Sequence, residues 1–205
     1  MSTSPTAIKP AIRHLRTADP VIRELIDQFG PCTLRLQRNR FGTLVDSIIS
    51  QQISTSAARS IRRRVGKLPA NGRITAESLA RVSVKSLRSA GLSPQKASYI
   101  TDLCAAVTEG RLNLRRIGRL DDDRAIEHLV QVKGIGCWTA KMFLMFSLGR
   151  LDVLPHEDLG IRTALRDLYG LGELPDKSKS EEIAQPWRPY ATIACWYCWR
   201  SVDGD

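Results

Sequence analysis

Apolar residues recur along this 205-residue chain at intervals of three and four, and no stretch sustains the alternate-residue pattern of a strand. The chain therefore reads as all-α. Over residues 18–30, Asp19 is placed to cap a helix that starts at Pro20. Val21, Leu25, Ile26 and Phe29 share its inner face, and Gly30-Pro31 end it. Over residues 41–66 the helical pattern of Leu44, Ile48 and Ile49 resumes with Ala57, Ala58, Ile61 and Val65. Between them the short polar run Ser50-Gln51-Gln52-Ile53-Ser54-Thr55 interrupts it, which predicts two helices joined by a tight turn with a new cap at Ser or Thr. Residues 74–90 read as a segment capped by Thr75, with Leu79, Val82 and Leu87 turned inward and Gly91 as its stop. Ser93 and Pro94 then open a helix that buries Ala97, Ile100, Leu103, Cys104 and Val107 and ends at Gly110. Leu112 and Leu114 lead into a basic loop with Arg115, Arg116 and Arg119, and Asp121-Asp122-Asp123 suit the N-terminus of the next helix. The first twenty residues read as a partly frayed leader, and LGELPDKSKSEE as a polar loop before the last helix.

The most informative stretch is residues 129–165. Leu129, Val130 and Val132 close an apolar helix, Lys133-Gly134-Ile135-Gly136 forms a turn, and a second helix is predicted from about Trp138 to Leu148, stopped by Gly149. Two glycines around one apolar residue permit a turn too tight for side chains. They also leave amides at a helix N-terminus where an anion can sit. Lys133, Gly134, Gly136 and Cys137 are the candidates for holding a phosphate there. After Leu154-Pro155-His156-Glu157, Asp158 is expected in the first turn of a helix carrying Leu159, Ile161, Leu165 and Leu168 and stopping at Gly170.

Composition narrows the partners. Thirty-one Lys and Arg against 21 Asp and Glu give a formal charge of +10, which attracts phosphate backbones, anionic membranes or acidic proteins. Arg59, Arg62, Arg63 and Arg64 read either as a solvated face or as phosphate contacts. No run of 18 apolar residues occurs, so no membrane span is expected, and the first residues lack the apolar core of a secretory signal. Five cysteines, odd in number and mostly isolated, fit a reducing cytoplasm. Cys195 and Cys198 have metal-ligand spacing without a second pair, so core thiols are the better reading. The three adjacent aspartates are explained by helix capping rather than a divalent metal.

GIG followed by WTAK, with LPHEDLGIR after it, resembles the hairpin, Gly/Pro-rich loop and aspartate signature of the helix-hairpin-helix DNA glycosylase superfamily. It is most similar to the alkylation-repair branch, the 3-methyladenine DNA glycosylase II family. GLSPQKASYI, and PWRPYA followed by a Trp-Tyr pair, extend the resemblance over roughly residues 20–200. The resemblance implies a two-lobed helical protein with a cleft between the lobes. Residues 1–39 and 149–205 form one lobe; residues 40–148, including the hairpin 129–148, form a helical barrel. The β-containing N-terminal domain of larger members is not expected. The partner is damaged double-stranded DNA, and the working form a monomer, cytoplasmic or nucleoid-associated if bacterial. By the same resemblance Asp158 is the catalytic carboxylate, with His156 and Glu157 as neighbours, and Trp138 and Trp196 line the base pocket. Gln52 enters the DNA stack, and Lys96 is a weaker candidate for facing DNA. The carbonyls of Val130, Val132 and Ile135 hold a sodium or potassium ion. Trp138 stands where lyase-active relatives carry lysine, and the four-cysteine cluster of other relatives is missing. The implied activity is monofunctional excision of alkylated purines. A glycosylase for mismatched or oxidised bases and a non-catalytic DNA-binding protein are the alternatives.

Overall fold

The computed structural model describes residues 5–203, and among these there is no strand. The chain divides into two compact units, one made of Met1–Leu36 and Leu144–Asp205, the other of Gln37–Phe143.

The first unit is built on α1 (Pro5–Ala18), α2 (Pro20–Phe29), α11 (Leu159–Leu168), α12 (Lys177–Ala184) and α13 (Ala191–Asp203), with a 3₁₀ turn at Gln185–Trp187. Helix α13 packs against α1, α2 and α11. It buries most of its length: Ala191, Thr192, Ile193, Ala194, Cys195, Tyr197 and Cys198 are all inaccessible. Burial pushes the Cys195 thiol well up and that of Cys198 to about 12, so both behave as apolar core groups. The keystone is Asp19. Its Oδ1 accepts the amides of Val21 and Ile22, capping α2. Its Oδ2 accepts the Tyr169 hydroxyl at 2.6 Å and the Trp187 indole N–H at 2.8 Å. A buried carboxylate is tolerated because four donors converge on it.

Two expectations fail in this unit. The supposed leader is outside the described residues only at 1–4; from Pro5 it is a fourteen-residue helix, because Ala11 and Leu15, four apart, are fully buried. The supposed polar loop contains α12, capped by Asp176 through the Lys179 amide at 2.8 Å. That helix was hidden because its inward face includes Ser180, whose buried hydroxyl bonds the Asp176 carbonyl, rather than another apolar side chain.

The second unit holds α3 (Arg40–Ser50), α4 (Thr55–Val65), α5 (Ala76–Ala80), α6 (Val84–Ser89), α7 (Pro94–Thr108), α8 (Leu114–Ile117), α9 (Asp122–Val130) and α10 (Cys137–Phe143). Helix α7 is its axis and packs on α3, α5 and α6 through Ala97, Ile100, Leu103 and Cys104. Residues 74–90 form two helices because Ser83 caps a second start. Arg115 and Arg116 lie on the short α8, capped by Asn113, rather than in a loop.

Asp19→Ala leaves a buried phenol and indole without their acceptor and removes a cap, at an expected cost of about 3–5 kcal/mol. Asp27→Ala, at an exposed pair with Arg16, is expected to cost less than about 1 kcal/mol. Urea unfolding of the two variants checks this, and near-equal costs would remove Asp19 from its central place.

Candidate active site

Asp158 lies at the end of a segment clamped to the start of α13. The Thr192 hydroxyl donates to the Arg150 carbonyl at 2.7 Å and accepts the Val153 amide at 3.1 Å, while the Thr192 amide reaches the Leu151 carbonyl at 2.9 Å. Asp152 accepts from Arg188 at 2.9 Å, and Leu151, Val153 and Leu154 are buried. This fixes the backbone that delivers Asp158. The residue is the N-cap of α11, one position earlier than its expected place in the first turn. Its Oδ1 accepts the Ile161 amide at 2.9 Å and the Trp199 indole N–H at 2.9 Å. Two donors on one oxygen hold the carboxylate in a single orientation at the positive end of a helix. Trp199 leans on Phe146, ring centroids 5.9 Å apart. Gly160 leaves the room: a Cβ there would stand 3.1 Å from both Asp158 Oδ1 and the Trp199 ring. Glu157 faces His156 at 3.3 Å instead.

Trp196 is half-buried, edge-on to Tyr197 with centroids 4.9 Å apart. Sequence reasoning singled it out and passed over Trp199, 41 residues from its aspartate partner. The available signal was weak: Trp196 and Trp199 are three apart and half-buried, while the interleaved Cys195 and Cys198 face the core.

The remaining candidates belong to the other unit. The turn between α3 and α4 carries Gln52 exposed, with φ 53°, the one non-glycine residue in the left-handed region among those described. Strain of this kind persists only where neighbours over-determine it. Here the Lys96 ammonium donates to the carbonyls of Ile49 at 2.8 Å and Gln51 at 2.6 Å, closing the C-terminus of α3. Its desolvation lowers the Lys96 pKa from the ordinary value. Gln51 donates its side-chain amide to the Gly134 carbonyl at 2.8 Å. All four arginines on α4 are exposed; Arg62 pairs with Asp46 at 2.7 Å and Arg64 donates to the Ala90 carbonyl.

The hairpin differs from expectation in three respects. Val130 is exposed, and the buried Leu129, Val132 and Ile135 are the apolar anchors. The second helix, α10, starts at Cys137 and gives way to a π-helical turn at Leu144–Leu148, with Gly149 at φ 69° closing it. The two glycines also do different work. Gly134 has φ 83°, and a Cβ there would meet the Tyr99 ring at 2.2 Å. Gly136 has nothing within 4 Å of that point. Lys133 is exposed and its amide donates to Asp102 Oδ2 at 2.9 Å. Cys137 and Trp138 are exposed at the start of α10. Among the described residues no three His, Cys, Asp or Glu side chains are grouped to hold a metal.

The chain is similar to known DNA repair proteins over most of its length. The family model described as "HhH-GPD superfamily base excision DNA repair protein" matches residues 45–189. A Schizosaccharomyces pombe protein named DNA-3-methyladenine glycosylase 1 is 32% identical over 96% of this chain and 88% of its own length. The crystal structure of a DNA-3-methyladenine glycosidase from Bacillus halodurans superposes with a TM-score of 0.85 at 39% identity, covering 95% of this chain and 90% of that one. The S. pombe 3-methyladenine DNA glycosylase in complex with abasic DNA gives a TM-score of 0.85 at 31% identity, covering 95% and 97%.

The two hairpin glycines are expected to respond differently to substitution. Gly134→Ala should destabilise by about 2 kcal/mol or more, from left-handed strain and the clash with Tyr99. Gly136→Ala should stay within about 0.5 kcal/mol. Thermal unfolding measures both, and a destabilised Gly136→Ala would contradict the open space around it.

Proposed function

The chain belongs to the HhH-GPD superfamily of base excision DNA repair proteins, and on that premise we propose that it is a monofunctional DNA glycosylase of the 3-methyladenine II type. In this reading it flips alkylated, chiefly cationic methylated, purines out of duplex DNA and hydrolyses their N-glycosidic bonds. The observation that carries it is the oriented carboxylate of Asp158, gripped by the Ile161 amide and the Trp199 indole. Backbone binding alone would need neither the carboxylate nor its tryptophan clamp.

The target base must first leave the stack, at a cost of a few kcal/mol that is smaller for a damaged base. Gln52 takes the vacated place. The exposed Trp138 and half-buried Trp196 offer indole faces to the base, and a cationic purine gains about 0.5–2 kcal/mol over such a face. Its positive charge also makes it a good leaving group. As the C1′–N bond breaks, charge develops on the sugar. Asp158 stabilises that charge and takes a proton from the attacking water, whose oxygen bonds to C1′. Trp199, which orients Asp158, is a positioning residue.

The DNA backbone sits on the hairpin, on Lys133 and the amides around Gly134, Gly136 and Cys137, where Gly136 leaves space for a phosphate. A sodium or potassium ion on the carbonyls of Val130, Val132 and Ile135 fits the same turn. The Val132 carbonyl accepts the Ile135 amide at 3.0 Å and retains a second lone pair. In this reading no iron–sulfur cluster takes part and no Schiff base forms, a reading supported by Trp138 at the position where lyase-active relatives carry lysine. The protein acts as a monomer on damaged double-stranded DNA, in the cytoplasm or on the nucleoid if bacterial. No helix among the described residues is long and apolar enough to cross a membrane.

Base release from methylated duplex DNA tests the reading. Asp158→Asn should lower release by about a hundredfold to a thousandfold, with binding to an abasic-site duplex retained. Trp199→Phe, losing one hydrogen bond to a carboxylate, should lower it about tenfold. Binding without release from a panel of alkylated, oxidised and mismatched duplexes would leave only a DNA-binding role. A borohydride-trapped adduct with abasic DNA would overturn the monofunctional assignment.

A further inference from the structure

Three residues on one face of α7, at positions i, i+3 and i+6, reach both elements proposed to touch DNA. Lys96 closes the turn that carries Gln52, through the carbonyls of Ile49 and Gln51. Tyr99 lies against Gly134, close enough that only glycine fits. Asp102 accepts the Lys133 amide. A fourth bond runs directly between the two elements, from the Gln51 side chain to the Gly134 carbonyl at 2.8 Å. Gln51, the residue before the strained Gln52, therefore has its carbonyl held by Lys96 and its side chain tied to the hairpin apex. Both bonds lie within the protein. Both fix the distance between the place where a phosphate is gripped and the place where Gln52 projects.

We propose that Lys96 and Gln51 are positioning residues that lock the Gln52 turn to the hairpin, so that gripping the backbone and inserting Gln52 into the stack are one rigid act. The proposal rests on the reading of Gln52 as the residue that fills the vacated place. The physical reason is economy of motion. A left-handed glutamine on an unsupported turn would relax to an ordinary conformation and lose its projection, and small misplacements of a positioning group cost large factors in rate. Two of the three donors of the Lys96 ammonium go to backbone carbonyls, which gives Lys96 a role inside the protein beside the expectation that it faces DNA.

The test compares one methylated purine in two settings, paired in a duplex and unpaired in a bulge, where extrusion needs no wedge. Lys96→Met and Gln51→Ala should each lower release from the duplex by about tenfold to a hundredfold, and from the bulge by less than about threefold. Gln52→Ala should show the same selectivity, and adding Lys96→Met to it should lower release no further. Equal losses on both substrates would mean a general structural role and overturn the proposal, as would losses that multiply in the double variant. If Gln52→Ala alters the duplex-to-bulge ratio but Lys96→Met and Gln51→Ala do not, the wedge stands and the coupling fails. If Gln52→Ala leaves the ratio unchanged, the wedge reading itself fails and the coupling with it. Thermal unfolding of each variant accompanies the assay, and Gln51→Ala, which removes a single half-buried side chain's bond, keeps the test open should Lys96→Met unfold.

Discussion

Helices in this protein are short, none among those described exceeding the fifteen residues of α7, and each leaves unpaired amides at one end and unpaired carbonyls at the other. Satisfying those groups is the constraint on which the rest depends. Asp19, Asn39, Ser54, Thr75, Ser83, Ser93, Asn113, Asp121, Asp158 and Asp176 all cap helix starts with a side-chain oxygen. Several of these caps do more than end a helix. Asp19 also gathers a phenol and an indole into the core, and Lys96 does for the end of α3 what Asp19 does for the beginning of α2.

The proposed chemistry uses the same device. Asp158 is a cap first: its Oδ1 belongs to the start of α11 and to Trp199. A carboxylate so held cannot swing away from a developing positive charge, and it reaches the transition state already oriented. The clamp of Thr192 and Asp152 around residues 150–153 serves the same end, because the segment that delivers Asp158 has little regular structure of its own.

The hairpin shows how two similar residues can serve different needs. Gly134 answers to the protein, since the Tyr99 ring and a left-handed backbone forbid any side chain. Gly136 answers to neither, and its open surroundings suit a ligand that approaches the backbone. Glycine spacing alone does not distinguish these cases. Comparable ambiguity attends the arginines of α4, which are all exposed although Arg62 and Arg64 also bond within the protein.

Local grammar was legible without a structure wherever one residue type had one physical use. The caps at Asp19, Ser93 and Asp121, the glycine stops at Gly91, Gly110, Gly149 and Gly170, the break at Ser50–Thr55 and the all-α class all follow from propensity and period. The hairpin was legible for the same reason, and so was the place of Asp158 at a helix start, while its proposed role rests on the resemblance to the glycosylase signature. What only the tertiary structure decided were pairings between distant residues, which leave no periodic trace. Helix α1 became a helix because α2 and α13 cover its face, and α12 because α11 and the turn at Gln185–Trp187 cover the side that holds Ser180 and Ala184. Trp199 came to hold Asp158, and Lys96 came to hold the turn of Gln52, through bonds that span 41 and 45 residues. Sequence determines which side of a helix a residue occupies; which neighbour that side meets is set by how the helices pack.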